Sequence, residues 1–206
     1  MRKIRTTMGV FALTLLLPAF GQAQEAIGLS NDFEGPAVYA GYTHADGAEA
    51  YGIEARMNNE MLGSLHASYD LINYDEIDEN AHRVEVGTAF QGHIMPSYAA
   101  ITARMGFDRM SVDDVSMNNI SVPVGVSVGK QLDLGAATLT PFINPEIAYS
   151  RMSVEGFSDS ETNLGLRAGG EFRTDALGGM SFRVNLEDRD LDDFDPAYQV
   201  QVGLDF

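Results

Sequence analysis

The chain has 206 residues, with 13 basic and 30 acidic side chains, a net charge of −17 and no cysteine. So acidic a balance excludes a nucleic-acid binder, because the chain would repel phosphate. The length suits one domain, and without cysteine there is no disulfide framework to hold it.

At the amino end, Arg2, Lys3 and Arg5 precede a nearly continuous apolar run from Met8 to Phe20, and Gly21-Gln22-Ala23 ends in small residues. This layout predicts a secretory signal peptide, residues 1–23, cleaved after Ala23. The run is shorter than the roughly 20 residues of a membrane-spanning helix. No Cys follows, so a lipoprotein anchor is not expected. Without these 23 residues, ten basic side chains face 30 acidic ones. The remaining domain, residues 24–206, opens with an irregular lead over Glu25 to Gly35.

From Ala37 onward the chain alternates apolar and polar residues, the side-chain period of a β-strand. Ala37 to Ala45 places Val38, Ala40 and Tyr42 on one face, and Asp46-Gly47 predicts a type I′ hairpin turn. Ala48 to Asn58 sets Tyr51, Ile53, Ala55 and Met57 against Glu54 and Arg56. Met61 to Ile72 sets Leu65, Ala67, Tyr69 and Leu71 against His66, Ser68 and Asp70. After an expected acidic loop over Asn73 to Ala81, His82 to Gln91 sets Val84, Val86 and Phe90 against Arg83 and Glu85. Tyr98 to Asp108 and Asn119 to Lys130 continue the pattern across an expected loop at Arg109 to Asn118. Ala136 to Met152 is less regular. Thr162 to Arg173 follows an expected loop at Ser153 to Glu161, and Gly179 to Leu186 precedes the most acidic loop, Glu187 to Ala197.

The last segment, Tyr198 to Phe206, carries Tyr198, Val200, Val202, Leu204 and Phe206 on one face, with Gln199, Gln201, Gly203 and Asp205 between them. Ten such segments predict an all-β fold: an up-and-down antiparallel transmembrane β-barrel of about ten strands. Pro123, Pro141 and Pro145 each remove a ladder donor, which keeps eight strands as an alternative. Connections after even-numbered strands are short, and most of those after odd-numbered strands are longer and acidic, as a barrel with short periplasmic turns and longer outer loops requires. Tyr42, Tyr51, Tyr69, Phe107 and Tyr149 fall toward the loops, and Phe90, Phe172 and Phe206 toward the turns, the placement of two interfacial girdles.

The signal peptide, the alternation and the final aromatic segment resemble the small Gram-negative outer-membrane β-barrels, the opacity-type and related outer-membrane proteins. That resemblance implies residence in the cell outer membrane among its lipids and lipopolysaccharide. It also implies that Tyr198, Val200, Val202, Leu204 and Phe206 are a signal read by the barrel-assembly machinery. The role it implies is structural or surface-interactive, in envelope integrity or adhesion. The alternatives are a narrow porin-like channel and an outer-membrane hydrolase.

If the apolar face meets lipid, the polar face is the lumen. Its charged members are Glu54, Arg56, His66, Asp70, Arg83, Glu85, Arg104, Glu146, Arg167, Glu171, Arg173 and Arg183. Arg binds carboxylates bidentately, so these residues predict Arg–carboxylate pairs filling a narrow barrel. His44, Asp46, Asp75, Asp78, His82 and Asp188 stand near the expected outer rim, where omptin proteases keep Asp and His. His66-Ala67-Ser68 has the His-x-Ser spacing of lipid A deacylases, without their context. The acidic run from Asp188 to Asp195 lacks the Gly and distal Glu of an EF-hand. No catalytic site, metal site or cofactor is expected. Deleting Phe206 is expected to lower the yield of membrane-inserted protein; unchanged insertion of the shortened chain would remove it from the assembly signal.

Overall fold

The computed structural model describes residues 36–59, 63–75, 77–94, 97–112, 115–174, 176, 178–188 and 196–206. The expected signal peptide and the lead to Gly35 lie outside them. The strands are β1 (Ala37–Ala45), β2 (Ala48–Asn59), β3 (Gly63–Tyr74), β4 (Ile77–Ile94), β5 (Ser97–Val112), β6 (Val115–Lys130), β7 (Leu132–Asp133), β8 (Ala137–Val154), β9 (Phe157–Thr174), β10 (Met180–Asp188) and β11 (Ala197–Asp205). Pairing is antiparallel between sequence neighbours, β11 pairs β1, and β6 pairs β8. The two-residue β7 only extends the hairpin into β8. Ten strands therefore close an up-and-down barrel, and all ten predicted segments fall on them.

The closing strand sits where the alternation placed it. Val202 lies opposite Ala40 of β1 and Phe182 of β10. Carried around the circuit, the registers return to β1 displaced by about 12 residues, so the strands tilt as in other closed barrels.

The barrel is apolar outside and polar inside. Ile53, Ile101, Val124, Ile147, Val184 and Val200 are exposed on the outer wall, while Arg83, Arg183 and Ser181 are fully buried. A soluble domain would reverse this. The outward aromatics Tyr42, Tyr51, Tyr69, Phe107 and Tyr149 are all exposed, and the Tyr42 and Tyr51 rings lie 5.3 Å apart.

Three local expectations are corrected. The segments 73–81, 109–118 and 153–161 are mostly strand: β3, β4, β5, β6, β8 and β9 run into them and pair almost to two-residue turns. At the last turn Glu155 and Gly156 have φ of 43° and 85°, a pair of left-handed residues that lets the hairpin close tightly. Alternation stops at this hairpin because both faces of its tip are exposed, whereas the backbone pairing continues. At Asp46-Gly47 only Gly47 has positive φ (73°), so that turn is not type I′. Third, the prolines do not cut the strand count. They interrupt pairing locally: the β5–β6 ladder skips Arg104 and Met105 beside Pro123, and the β6–β8 ladder skips two residues beside Pro145.

These extensions make the wall uneven. Strands β4, β8 and β9 have 18 residues and β5 and β6 have 16, against 9 to 12 for β1, β2, β3, β10 and β11. An 18-residue strand is about 60 Å long at a rise of about 3.3 Å per residue, much more than an apolar band of about 25 Å requires even when tilted. One sector therefore stands well clear of the band. Val200→Arg, on the outward face, is expected to destabilise the bilayer-inserted fold by about 2–4 kcal/mol. Phe157→Arg, at the tip of the β8–β9 hairpin, is expected to change stability little. Equal urea midpoints in liposomes for both variants would contradict a lipid-facing wall.

Candidate functional site

The lumen gathers the charged side chains into three groups. Nearest the end where β1 begins, Glu54 Oε1 accepts from Arg56 Nη2 at 2.8 Å and from Nε at 3.2 Å. Across the lumen, Arg183 Nη1 donates to Glu54 Oε2 at 3.3 Å and to Gln201 Oε1 at 2.8 Å. Its Nη2 and Nε reach Glu171 Oε2 at 3.0 and 3.2 Å. The Tyr39 ring supports this group, with the Arg183 and Arg56 guanidinium carbons 4.2 and 5.3 Å from its centroid. Tyr39 lies flat against the wall at Gly203, where an added Cβ would come 2.3 Å from its ring.

The middle group joins β3, β4, β5, β8 and β9. Glu85 Oε1 contacts His66 Nε2 at 3.2 Å and accepts from Arg104 Nη1 at 3.4 Å. Arg104 Nη2 donates to both oxygens of Glu146 at 3.0 Å and lies 3.9 Å from Glu187. Arg167 completes the chain, its Nε 3.2 Å from Glu146 Oε2. Gly87 makes the His66 position possible, since a Cβ there would lie 2.1 Å from His66 Cε1 and 2.8 Å from Arg104 Cγ. In the outer group the Arg83 fork engages both oxygens of Asp108, with Nη2 to Oδ2 at 3.1 Å, and Asn119 Nδ2 donates to the same oxygen at 3.0 Å. Asp70 sits opposite Arg83 in the β3–β4 register.

Toward the outer end the inward face becomes apolar. Ala48, Ala50, Ile72, Tyr74, Ala81, Met110 and Met117 form a buried cluster, with Val112, Met152 and Val154 packed on it. Tyr74, Ala81, Met110 and Met117 lie in segments expected from the sequence to be loops, so residue order alone does not reveal this cap. The combination can neutralise and fill a lumen; it leaves its charged groups bonded to one another.

Of the predicted lumen residues, Glu54, Arg56, His66, Asp70, Arg83, Glu85, Arg104, Glu146, Arg167, Glu171 and Arg183 are buried, and Arg173 is half-buried near the turn into β10. Asp108 and Glu187 belong to the lumen as well. Both continue the parity of inward neighbours, Arg104 and Arg183, although the alternation alone makes them a strand end and a loop start. The proposed assembly residues Tyr198, Val200, Val202 and Leu204 face outward, Phe206 is exposed, and its N–H donates to the Pro36 carbonyl at 2.9 Å.

The rim residues do not assemble. His44 and His82 lie on outward faces of β1 and β4, Asp46 and Asp75 are exposed at turns, and Asp188 is buried on β10. The Asp78 side chain and the run 189–195 lie outside the described residues. His82 Nδ1 instead meets the Tyr69 hydroxyl at 2.7 Å. His66 and Ser68 are both buried inside the lumen. Among the described residues no group of three or more His, Asp or Glu is arranged to hold a metal ion.

Removing one partner of a buried ion pair strands the other, whereas replacing both leaves no charge behind. Arg183→Met is therefore expected to destabilise by about 3–5 kcal/mol. Adding Glu54→Leu and Glu171→Leu is expected to restore much of that loss. Unfolding midpoints of the single and triple variants in detergent check this; additive losses would contradict coupling through Arg183.

No family model matches the chain, and no curated protein is significantly similar to it. Among solved structures it is similar to the KdgM porin at 8% identity, covering 82% of this chain and 99% of that one, with a TM-score of 0.38. It is similar to Neisserial surface protein A at 14% identity, covering 84% and 98%, with a TM-score of 0.36. It is also similar to the outer membrane enzyme PagL at 11% identity, covering 82% and 99%, with a TM-score of 0.37. Likenesses this distant carry no argument about activity. By its own closure, its apolar outer wall and its charged interior, the chain has the fold of a small outer-membrane β-barrel with ten antiparallel strands.

Proposed function

We propose that this protein is an integral outer-membrane barrel with a structural or surface-interaction role, in envelope integrity or adhesion, and not a diffusion channel or an enzyme. The observation that carries the proposal is the filled lumen. Arg183 spans from Glu54 on β2 to Glu171 on β9, and Arg104 spans from Glu85 on β4 to Glu146 on β8. A ten-stranded barrel has little more internal room than its own side chains occupy, so such bridges leave small solutes no path. The apolar cap adds a barrier at the outer mouth.

The surface role follows from the uneven wall. The β5–β6 and β8–β9 hairpins reach beyond the apolar band and present exposed Ser158, Asp159, Ser160 and Glu161 to the outside. In this reading the outward aromatics sit among outer-membrane lipids and lipopolysaccharide, and the barrel-assembly machinery recognises the outward side chains of β11.

In planar bilayers the wild-type protein is expected to give no reproducible open state, while a variant carrying Arg104→Ala, Glu85→Ala and Glu146→Ala is expected to conduct. A steady wild-type conductance abolished by blocking the lumen would favour the channel reading. The membrane fraction is expected to show heat-modifiable migration on SDS gels; its absence would remove the barrel from the membrane.

A further inference from the structure

Charge is sorted across four of the five tall strands, β5, β6, β8 and β9. The chain has 30 acidic residues against 13 basic. Yet within β5, β6, β8 and β9 all five acidic residues, Asp108, Glu146, Asp159, Glu161 and Glu171, take the inward register. Glu161, for example, accepts from Ser150 on the inward face at 3.2 Å. The outward face of the same strands carries no acid; besides Lys130 at the far end of β6 it bears two arginines, Arg109 and Arg151, both exposed.

These cations are placed alike. Arg109 is the next outward residue beyond Phe107 on β5, and Arg151 the next beyond Tyr149 on β8. On β4, His82 is the register partner of Arg109 and is held by the Tyr69 hydroxyl at 2.7 Å. Each therefore stands one step on the polar side of the outer aromatic girdle, where lipid headgroups lie. The five buried lumen arginines are all ion-paired. Arg109 and Arg151 have no carboxylate partner among the described residues; Arg151 Nη2 makes only a 3.4 Å contact with Ser158 Oγ.

We propose that His82, Arg109 and Arg151 form a binding site on the outer wall for the phosphate-bearing headgroup of an outer-leaflet lipid. Guanidinium groups bind phosphate bidentately, and on so acidic a chain an outward basic arc is selective for anions. The occupant is a lipid because the arc continues directly into exposed apolar wall: Phe107, Ile120 and Val122 lie beneath it for acyl chains. A soluble anion has no use for that strip. This assignment rests on the transmembrane reading above.

The test uses the full chain folded in phosphocholine micelles, with lipopolysaccharide and enzymatically dephosphorylated lipopolysaccharide as probes. Heat-modifiable migration is recorded on each sample, so failure to fold as a barrel is seen separately from failure to bind. Lipopolysaccharide is expected to bind R109Q/R151Q about tenfold or more weakly than wild type, with R109K/R151K largely restored. K130Q, altered at the opposite end of the barrel, is expected to bind as wild type. If R109Q/R151Q does not fold, R109Q and R151Q singly are each expected to weaken binding. The proposal is overturned if the folded glutamine variants bind as tightly as wild type, if the dephosphorylated probe binds equally well, or if millimolar inorganic phosphate displaces the lipid completely.

Discussion

The constraint on which the rest of this structure depends is closure. In a bilayer no water is present to bond an exposed N–H or carbonyl, so a sheet that spans it must have no free edge there. Here the seams are β11 against β1 and β6 against β8. Once those ladders form, the two faces of every strand have opposite surroundings, and the alternation of side chains turns into an apolar wall and an enclosed interior. The interrupted pairing beside Pro123 and Pro145 shows how local the tolerance is: the strand runs through, and pairing resumes within two residues.

Enclosure then dictates the chemistry of the lumen. Charged groups cut off from bulk water are costly unless paired and fully bonded, and the guanidinium fork is the cation best suited to hold several carboxylates. Arg183 serves two carboxylates and a glutamine at once. The wall adapts to these side chains through glycine: at Gly203 and at Gly87 a ring lies against bare backbone. Such networks do not by themselves make a barrel more stable than an apolar filling would. What they do here is keep the interior polar while the exterior is apolar, which favours one register over its inside-out alternative.

Much of this was legible from residue order. Period-two alternation marks a strand whose faces see different media, and it identified all ten long strands, the outward aromatics and most of the inward charges, including Glu54, Arg83 and Arg183. It failed where that contrast disappears. At the tip of the β8–β9 hairpin both faces are exposed, so residue order makes Ser153 to Glu161 a loop although Val154 pairs with Phe157. At the β5–β6 end the polarity changes instead: beyond Asp108 the inward face turns apolar at Met110 and Met117 while Arg109 faces outward, which hid the apolar cap.

The sequence by itself determined where the strands run and which face of each is polar, because these depend only on parity along one strand; ten strands rather than eight followed only from the ladders of the closed sheet. Which inward residues meet was decided by tertiary structure alone. Arg183 and Glu54 are 129 positions apart, and nothing local says they touch. Their contact is set by three ladders, β1–β2, β1–β11 and β10–β11, which bring Glu54 opposite Tyr39, Gly203 and Ser181 in turn, two residues from Arg183. The β4–β5, β5–β6 and β6–β8 ladders likewise bring Arg109 and Arg151 near His82 on the outer wall, so both the plugged interior and the basic arc depend on which strands pair.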